Sequence, residues 1–439
     1  MTSPPPSHVL LEALYEAAVA AVAPAPLAAA ALADLDARHD QRFWLFAFGK
    51  AAAAMASGAA NTLRRSLHII AGGVVVPAEP APPPFSTVRV MPGDHPLPRG
   101  RSFAAARLID QTVSSVRGDD AAVVLVSGGT TSLIAAPVRG VGEQDLEQLF
   151  VQLMDAGLEI GAMNAVRKRF LRWGAGRLAV ALAPARTHVL LLSDVAGDSP
   201  ADIGSGPCAP DEWAARDVSA LLDDAKLLGR LAPSLREYLS SVMRGVSPET
   251  PKPGHPAFAH VSTRVVGSNS LALDAALARA RALGYDARRG SFALAGEASG
   301  CGERIALELL ECAQHAERRC IAWGGETTVH LRDTSTAEGT GGRCQELALA
   351  ASRVLAGAGD VAKRITLLAA GTDGRDGPTD ATGAFADASL WQRIREAGAN
   401  PDDALARHRS HAALDAAGAL LRRGPTGTNV MDLVLAVVE

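Results

Sequence analysis

Two basic side chains, Lys50 and Arg343, each follow glycine where the pattern turns from loop to helix. Arg343 closes the run Gly339-Thr340-Gly341-Gly342, and Lys50 comes directly after Gly49. The first turn of a helix carries unpaired N–H groups and a partial positive charge. A cation placed there is locally unfavourable unless an anion sits between the two. The stretch Ser127-Gly128-Gly129-Thr130-Thr131-Ser132 adds hydroxyls and backbone donors that suit oxyanions. Carboxylates complete the set: Asp194 after the apolar run 188–192, Glu326 inside Gly324-Gly325-Glu326-Thr327-Thr328, and Asp373 in the stretch GTDGRDGPTD, which also holds Asp376 and Asp380. Cations and backbone donors for phosphate oxygens, with carboxylates for Mg2+, are the parts that phosphoryl transfer uses. Asp194 could equally accept a hydroxyl proton, and His95 in its proline-flanked loop could bind a ligand. Each of these residue types also has an ordinary structural use. Lys50 and Arg343 can be solvated surface cations, Asp194 a helix N-cap, and the aspartate loop an acidic turn, its spacing being wrong for an EF-hand.

The hydrophobic pattern predicts the elements that must hold these groups. Residues 43–48 and 121–126 read as buried strands, the second apolar throughout, as in a parallel sheet covered on both faces. Lys50 and the Ser127 loop then stand at strand carboxyl ends, the edge where open α/β sheets bind ligands. Residues 188–192, 365–370 and 433–438 are further strands, and 328–331 alternates like a half-buried one. A helix over 163–173 carries Asn164 and Arg167 three apart, hence on one side. Residues 8–37 read as one or two amphipathic helices. The proline-rich stretch 247–254 is the best linker, so a domain boundary is expected there, giving domains 1–253 and 254–439.

The chain has 439 residues and a net charge of -4, which gives no electrostatic case for nucleic acid or a membrane surface. No apolar run approaches the ~20 residues of a membrane span. Glu12 and Glu16 interrupt the apolar part of the N-terminus, which also lacks a basic lead, so no signal peptide is expected. Five cysteines without C-x-x-C pairing fit reduced thiols, and a cytoplasmic setting, better than disulfides or zinc. G-x-S-x-G and H-E-x-x-H are absent, and no G-x-G-x-x-G follows a strand, which counts against serine and zinc hydrolases and against a dinucleotide-dependent reductase.

An ordered series of motifs then carries a resemblance. Phe48-Gly49-Lys50-Ala51, Ser127-Gly128-Gly129, Asn164-Ala165-Val166-Arg167-Lys168, Gly176-Arg177-Leu178-Ala179 and Ser193-Asp194-Val195 begin it. Gly324-Gly325-Glu326-Thr327-Thr328-Val329, Gly341-Gly342-Arg343, Gln345-Glu346-Leu347, the GTDGRDGPTD loop and Thr426-Gly427-Thr428-Asn429-Val430 continue it. Over nearly its whole length the chain resembles the type II glycerate 2-kinases, whose C-terminal half is called the MOFRL domain, here about 318–438. Members have also been labelled hydroxypyruvate reductases. The resemblance implies an α/β fold of two domains, a Rossmann-like three-layer N-terminal domain and a smaller α/β C-terminal domain, with the active site in the cleft. It implies ATP- and Mg2+-dependent phosphorylation of D-glycerate, or a related hydroxy acid, at the 2-hydroxyl. Lys50, Arg343 and Asp194 are then the catalytic candidates. Ser127, Gly128, Gly129, Thr130, Asn164, Arg167, Gly325, Thr327 and Asn429 are the binding candidates, with Arg167 and the Ser127 loop as the clamp for the acid's carboxylate. Asp194, Glu326 and Asp373 are the metal candidates. The partners expected are the hydroxy acid and a nucleotide, with neither nucleic acid nor membrane; a homodimer is compatible with the reading. An NAD(P)H-dependent hydroxypyruvate reductase and a non-catalytic acid-binding module are the alternatives. The chain departs from the family at Arg169, Leu171, Gly174 and Cys344, where His, Ser, Lys and Asn are usual.

Overall fold

A computed structural model of the chain describes residues 6–330 and 340–439, apart from Asp34, Asp36 and His39. Most of the glycine-rich loop expected before Arg343, including Gly339, lies outside the described residues, as does Leu331. The chain forms two compact units. One is Pro24–Val266, and the other joins Met1–Ala23 to Gly267–Glu439. This differs from a division at 253/254, because the helix Pro6–Ala21 packs on the helix Asn269–Ala282 and on the sheet of the second unit. His8 stacks on Phe385 at 4.0 Å, the Tyr15 hydroxyl donates to the Gly371 carbonyl at 2.7 Å, and Glu12 and Glu16 both pair with Arg423. An amphipathic pattern says that one face is buried, not which partner buries it.

The sheet of Pro24–Val266 contains β1 (Arg42–Phe48), β2 (Ile69–Val76), β3 (Val88–Val90), β4 (Ala121–Val126), β5 (Arg186–Leu192) and β6 (Val261–Gly267) in the spatial order 3-2-1-4-5-6. The pairs β1/β2, β2/β3, β1/β4 and β4/β5 are parallel. Phe46, Phe48, Val74, Val76, Val124 and Val126 alternate into one apolar core, which explains why these strands read as unbroken hydrophobic runs. The order reverses between β1 and β4, whose loops leave the sheet at the same carboxyl edge, where open α/β sheets bind ligands.

The second sheet contains β7 (Asp286–Arg289), β8 (Arg319–Gly325), β9 (Ile365–Gly371), β10 (Gly383–Asp387), β11 (Leu420–Leu421) and β12 (Asp432–Val438), in the order 11-10-9-12-8-7. Only β7/β8 is parallel; β12 runs antiparallel between β8 and β9. The helices Ala298–Cys312 and Arg343–Ala356 pack on each other and supply much of this unit's core. Of the alternating segment expected over 328–331, the described residues 328–330 form no strand; Thr328 makes one isolated bridge to Glu297. Among the described residues no single helix is long and apolar enough to cross a membrane.

Candidate active site

In the N-terminal unit the loops after β1 and β4 are tied together at the point of strand reversal. Lys50 N–H donates to the Gly128 carbonyl at 2.9 Å, and Ala51 N–H to Ser127 Oγ at 3.1 Å. Gly49 makes this turn at φ 112°, a conformation that a Cβ disfavours. Ser127 N–H returns to the Phe48 carbonyl at 3.0 Å, and Thr130 Oγ1 donates to the Ser127 carbonyl at 2.7 Å. The Lys50 side chain is left exposed above this frame. Asp194, at the end of β5, lies against Gly128 so closely that a Cβ there would stand 1.9 Å from its Oδ2. A Cβ on Gly129 would meet His95 at 3.1 Å and Lys50 at 3.4 Å. The structure thus gathers Lys50, Ser127, Gly128, Gly129, Thr130, Asp194 and His95 at one sheet edge. Desolvation first, and the Lys50 charge second, push the His95 imidazole down to about 4. The residue keeps an exposed edge, which limits the desolvation; both causes act in one direction, towards a neutral ring at pH 7.

Arg167 does not present a simple clamp. Its guanidinium lies over the Phe150 ring at 4.8 Å, its Nε has no hydrogen-bond partner among the described residues, and burial lowers its pKa to about 10. Asn164 is half-buried on the same helix, Ile160–Phe170. That helix ends in cations because its C-terminal carbonyls favour them. Arg177 is half-buried there and donates to the carbonyls of Lys168, Arg169 and Leu171 at 2.9–3.1 Å.

In the C-terminal unit Arg343 opens the helix Arg343–Ala356, as expected, but its anions belong to the protein. Nε and Nη2 reach the two oxygens of Asp432 at 2.5 and 2.9 Å, and Nη1 lies 2.5 Å from Glu326 Oε1. The helix N-terminus is filled as well. Asp376 accepts from the backbone N–H groups of Cys344 and Gln345 at 3.0 and 2.8 Å and from Gln345 Nε2 at 2.9 Å. Asp376 is therefore a cap rather than a cation ligand. Glu326 is held by a guanidinium, and Asp373 accepts from Arg375 N–H at 3.0 Å. Among the described residues no group of three or more His, Cys, Asp or Glu side chains could hold a metal. Burial pushes the Asp432 carboxyl up, to about 7, against the pull of Arg343, with Glu326 and Asp376 adding to the rise. Burial opposes the Arg343 charge too, but Asp432 and Glu326 more than offset it and keep the guanidinium protonated.

Arg343, Glu326, Thr327, Gly342, Glu346 and His408 line a cleft of about 420 Å3 in this unit. Gly325 ends β8 at φ 136° with Leu294 directly behind it, and Thr327 is buried. Asn429 lies in the turn before β12, where its Oδ1 accepts from Met431 N–H at 3.1 Å. It helps deliver Asp432, which sequence reasoning missed. The only signal was a carboxylate opening an apolar strand. Because β12 is antiparallel to both neighbours, its first residue lies opposite Gly325 and Gly371, the last residues of β8 and β9.

Comparison with known proteins finds similarity over almost the whole chain. Residues 10–240 match a domain of unknown function, DUF4147, and residues 319–432 match the MOFRL family. A D-glycerate 2-kinase of Thermotoga maritima is 33% identical over 402 residues, covering 90% of this chain and 91% of that one. The crystal structure of a glycerate kinase from Thermotoga maritima superposes with a TM-score of 0.85 at 31% identity, covering 98% and 99% of the two chains. The chain belongs to the glycerate 2-kinase family. A relative in Agrobacterium vitis, 34% identical over 97% of this chain and 93% of that one, carries a provisional hydroxypyruvate reductase label.

Two of the positions expected to depart from the glycerate 2-kinase family have plain structural settings. Arg169 is wholly buried and bound to Asp211 at 3.5 Å, to the Trp213 carbonyl at 2.5 Å and to Glu249. Lys168 joins the same network through Asp211 at 3.3 Å. Arg169 is thus an internal cross-link and not a surface for substrate. Cys344 is buried beneath the Asp376 cap, and burial raises its thiol pKa. Leu171 and Gly174 lie at the end of the helix that Arg177 caps.

Proposed function

We propose that the protein transfers the γ-phosphoryl group of ATP to the 2-hydroxyl of D-glycerate, giving 2-phosphoglycerate and ADP. The observation that carries this reading is Lys50 at the strand-reversal point of the N-terminal sheet, over the Ser127-Gly128-Gly129 loop, in a chain 33% identical to a D-glycerate 2-kinase over nine-tenths of its length. A lysine above backbone donors suits phosphate oxygens, whose charge spreads in the transition state. Arg343 is suited to the same task from its own unit. The fork to Asp432 fixes its orientation, and its side chain remains one-third exposed.

Mg2+ fits the oxygen-only donors present. It takes one or two carboxylates and completes its shell with phosphates and water. Asp194 would hold it best, because its oxygen lies against a backbone that only glycine permits. Asp373 is a second candidate, while Glu326 would have to leave Arg343. When bound, the ion would neutralise charge on the phosphate oxygens. Asp194 as the proton acceptor for the hydroxyl is the competing assignment.

A reductase would place its G-x-G-x-x-G in the first βα turn of such a sheet. That turn reads Gly49-Lys50-Ala51 here. Purified protein incubated with D-glycerate, ATP and Mg2+ and analysed by NMR decides the matter. Formation of 2-phosphoglycerate is expected. The 3-isomer would overturn the regiochemistry, and NADH oxidation by hydroxypyruvate without ADP release would overturn the class.

A further inference from the structure

Within the N-terminal unit, a second cavity of about 460 Å3 is lined by Val138, Arg139, Trp173, Arg177, Tyr238 and Val246 among others, and shares no residue with the group around Lys50. Its volume suits a small organic molecule. Part of the wall is apolar. Trp173 is buried with its indole N–H spent on the Ala106 carbonyl at 3.2 Å, and Val246 stands at the rim with 75% of its surface exposed. The charges on the wall are all positive: among the described residues no Asp or Glu lines the cavity. Arg172 lines it too, but Asp110 already meets that charge, 2.7 Å from Nε. Arg139 and Arg177 pair with no carboxylate among the described residues. Arg177 spends its Nη groups on the carbonyls at the helix end and on the Tyr238 hydroxyl at 3.2 Å, which leaves its charge without a counter-ion. By itself Arg177 would be an ordinary helix cap. The Tyr238 hydroxyl, however, accepts that bond and donates to no protein group among the described residues, so its O–H remains open to a ligand oxygen.

We propose that this cavity is an accessory binding site for an aromatic phosphate monoester, separate from the catalytic groups and independent of the reaction they perform. Two guanidinium charges without counter-ions match the roughly two negative charges of such a group at pH 7, and their planar donors suit its oxygens. The phosphate lies between Arg139 and Arg177 and takes the Tyr238 O–H. The ring covers Val138, Trp173 and Val246. A bare phosphate would leave that apolar surface in water, and a neutral ring would leave the two charges unmatched.

Isothermal titration of the full chain with 4-nitrophenyl phosphate tests this. Saturable binding is expected, and Lys50→Ala should bind the probe as the wild type does, because Lys50 lies outside the cavity. Inorganic phosphate has the charge without the ring, 4-nitrobenzyl alcohol the ring without the charge, and 4-nitrobenzoate a single charge; each should bind at least ~10-fold more weakly. Arg139→Glu should weaken the probe at least ~10-fold, the scale of one charge-assisted contact. Its unfolding midpoint should hold, since this arginine is exposed. Tyr238→Phe keeps the ring and loses only the O–H, so it should weaken binding by a smaller factor. Absence of saturable binding, affinity unchanged in both Arg139→Glu and Tyr238→Phe, loss of binding in Lys50→Ala, or equal affinity for any of the three comparison compounds would each overturn the assignment.

Discussion

Arg343 and Asp432 form a two-pronged ion pair, Nε to Oδ2 at 2.5 Å and Nη2 to Oδ1 at 2.9 Å, across 89 residues of sequence. Asp432 is almost completely buried, whereas Arg343 keeps one face in the cleft. Removing the two partners therefore has unequal consequences.

Arg343→Ala should lose both rate and stability. It strands a buried carboxylate, which costs about 3 kcal/mol when a buried pair is broken. Arg343→Lys keeps the charge but not the fork, so it should fold nearly normally while kcat falls ~100-fold. Steady-state kinetics beside thermal unfolding of both variants separate the two effects. Normal turnover in Arg343→Lys would remove the fork from the mechanism.

The Asp432 carboxyl sits at about 7 in the folded chain, raised from 3.8. Between those values the folded state binds the extra proton. Its contribution to stability is full below about pH 4 and declines as pH rises to about 7. The stability of the wild type relative to Asp432→Asn should therefore fall as pH rises from about 4 to about 7. Denaturant unfolding at several pH values reads this. A difference that is flat or grows with pH contradicts it.

Lys50→Ala should lower kcat at least ~100-fold and leave the unfolding midpoint in place. The lysine is exposed, and the turn below it is held by backbone bonds and Ser127 Oγ. Gly49→Ala should also impair turnover, because a Cβ there would stand 2.2 Å from Ser127 Oγ and force the two loops apart. Near-normal kcat in Lys50→Ala would exclude the lysine.

Asp194→Asn should raise the Mg2+ concentration needed for half-maximal rate if the residue holds the ion, since one anionic ligand of very few is lost. Titrating Mg2+ at saturating substrate measures this. An unchanged Mg2+ requirement with a collapsed kcat would make Asp194 the proton acceptor, and no change in either would exclude both roles.

The sequence by itself determined the apolar strands 43–48, 121–126 and 188–192 and what stands at their carboxyl ends. A short unbroken apolar run such as 121–126, ended by glycine, suits a strand buried on both faces, and the glycines and hydroxyls that follow mark where the chain leaves the sheet. Lys50, the Ser127 loop and Asp194 were legible because in a parallel sheet every strand delivers its last residue to one edge. Tertiary structure alone decided what pairs with what. Asp432 reaches Arg343 because β12 runs antiparallel between β8 and β9, and direction is not written in an apolar run. Asp376 fills the helix N-terminus where an external anion was expected beside Arg343, and it does so from more than thirty residues away. His408 acquires its place from a helix-ending motif in which its backbone takes the conformation of a glycine. The first helix shows the same limit. Its apolar face had to be covered, but contact with Gly371 and Phe385, not proximity in sequence, fixed which unit covers it.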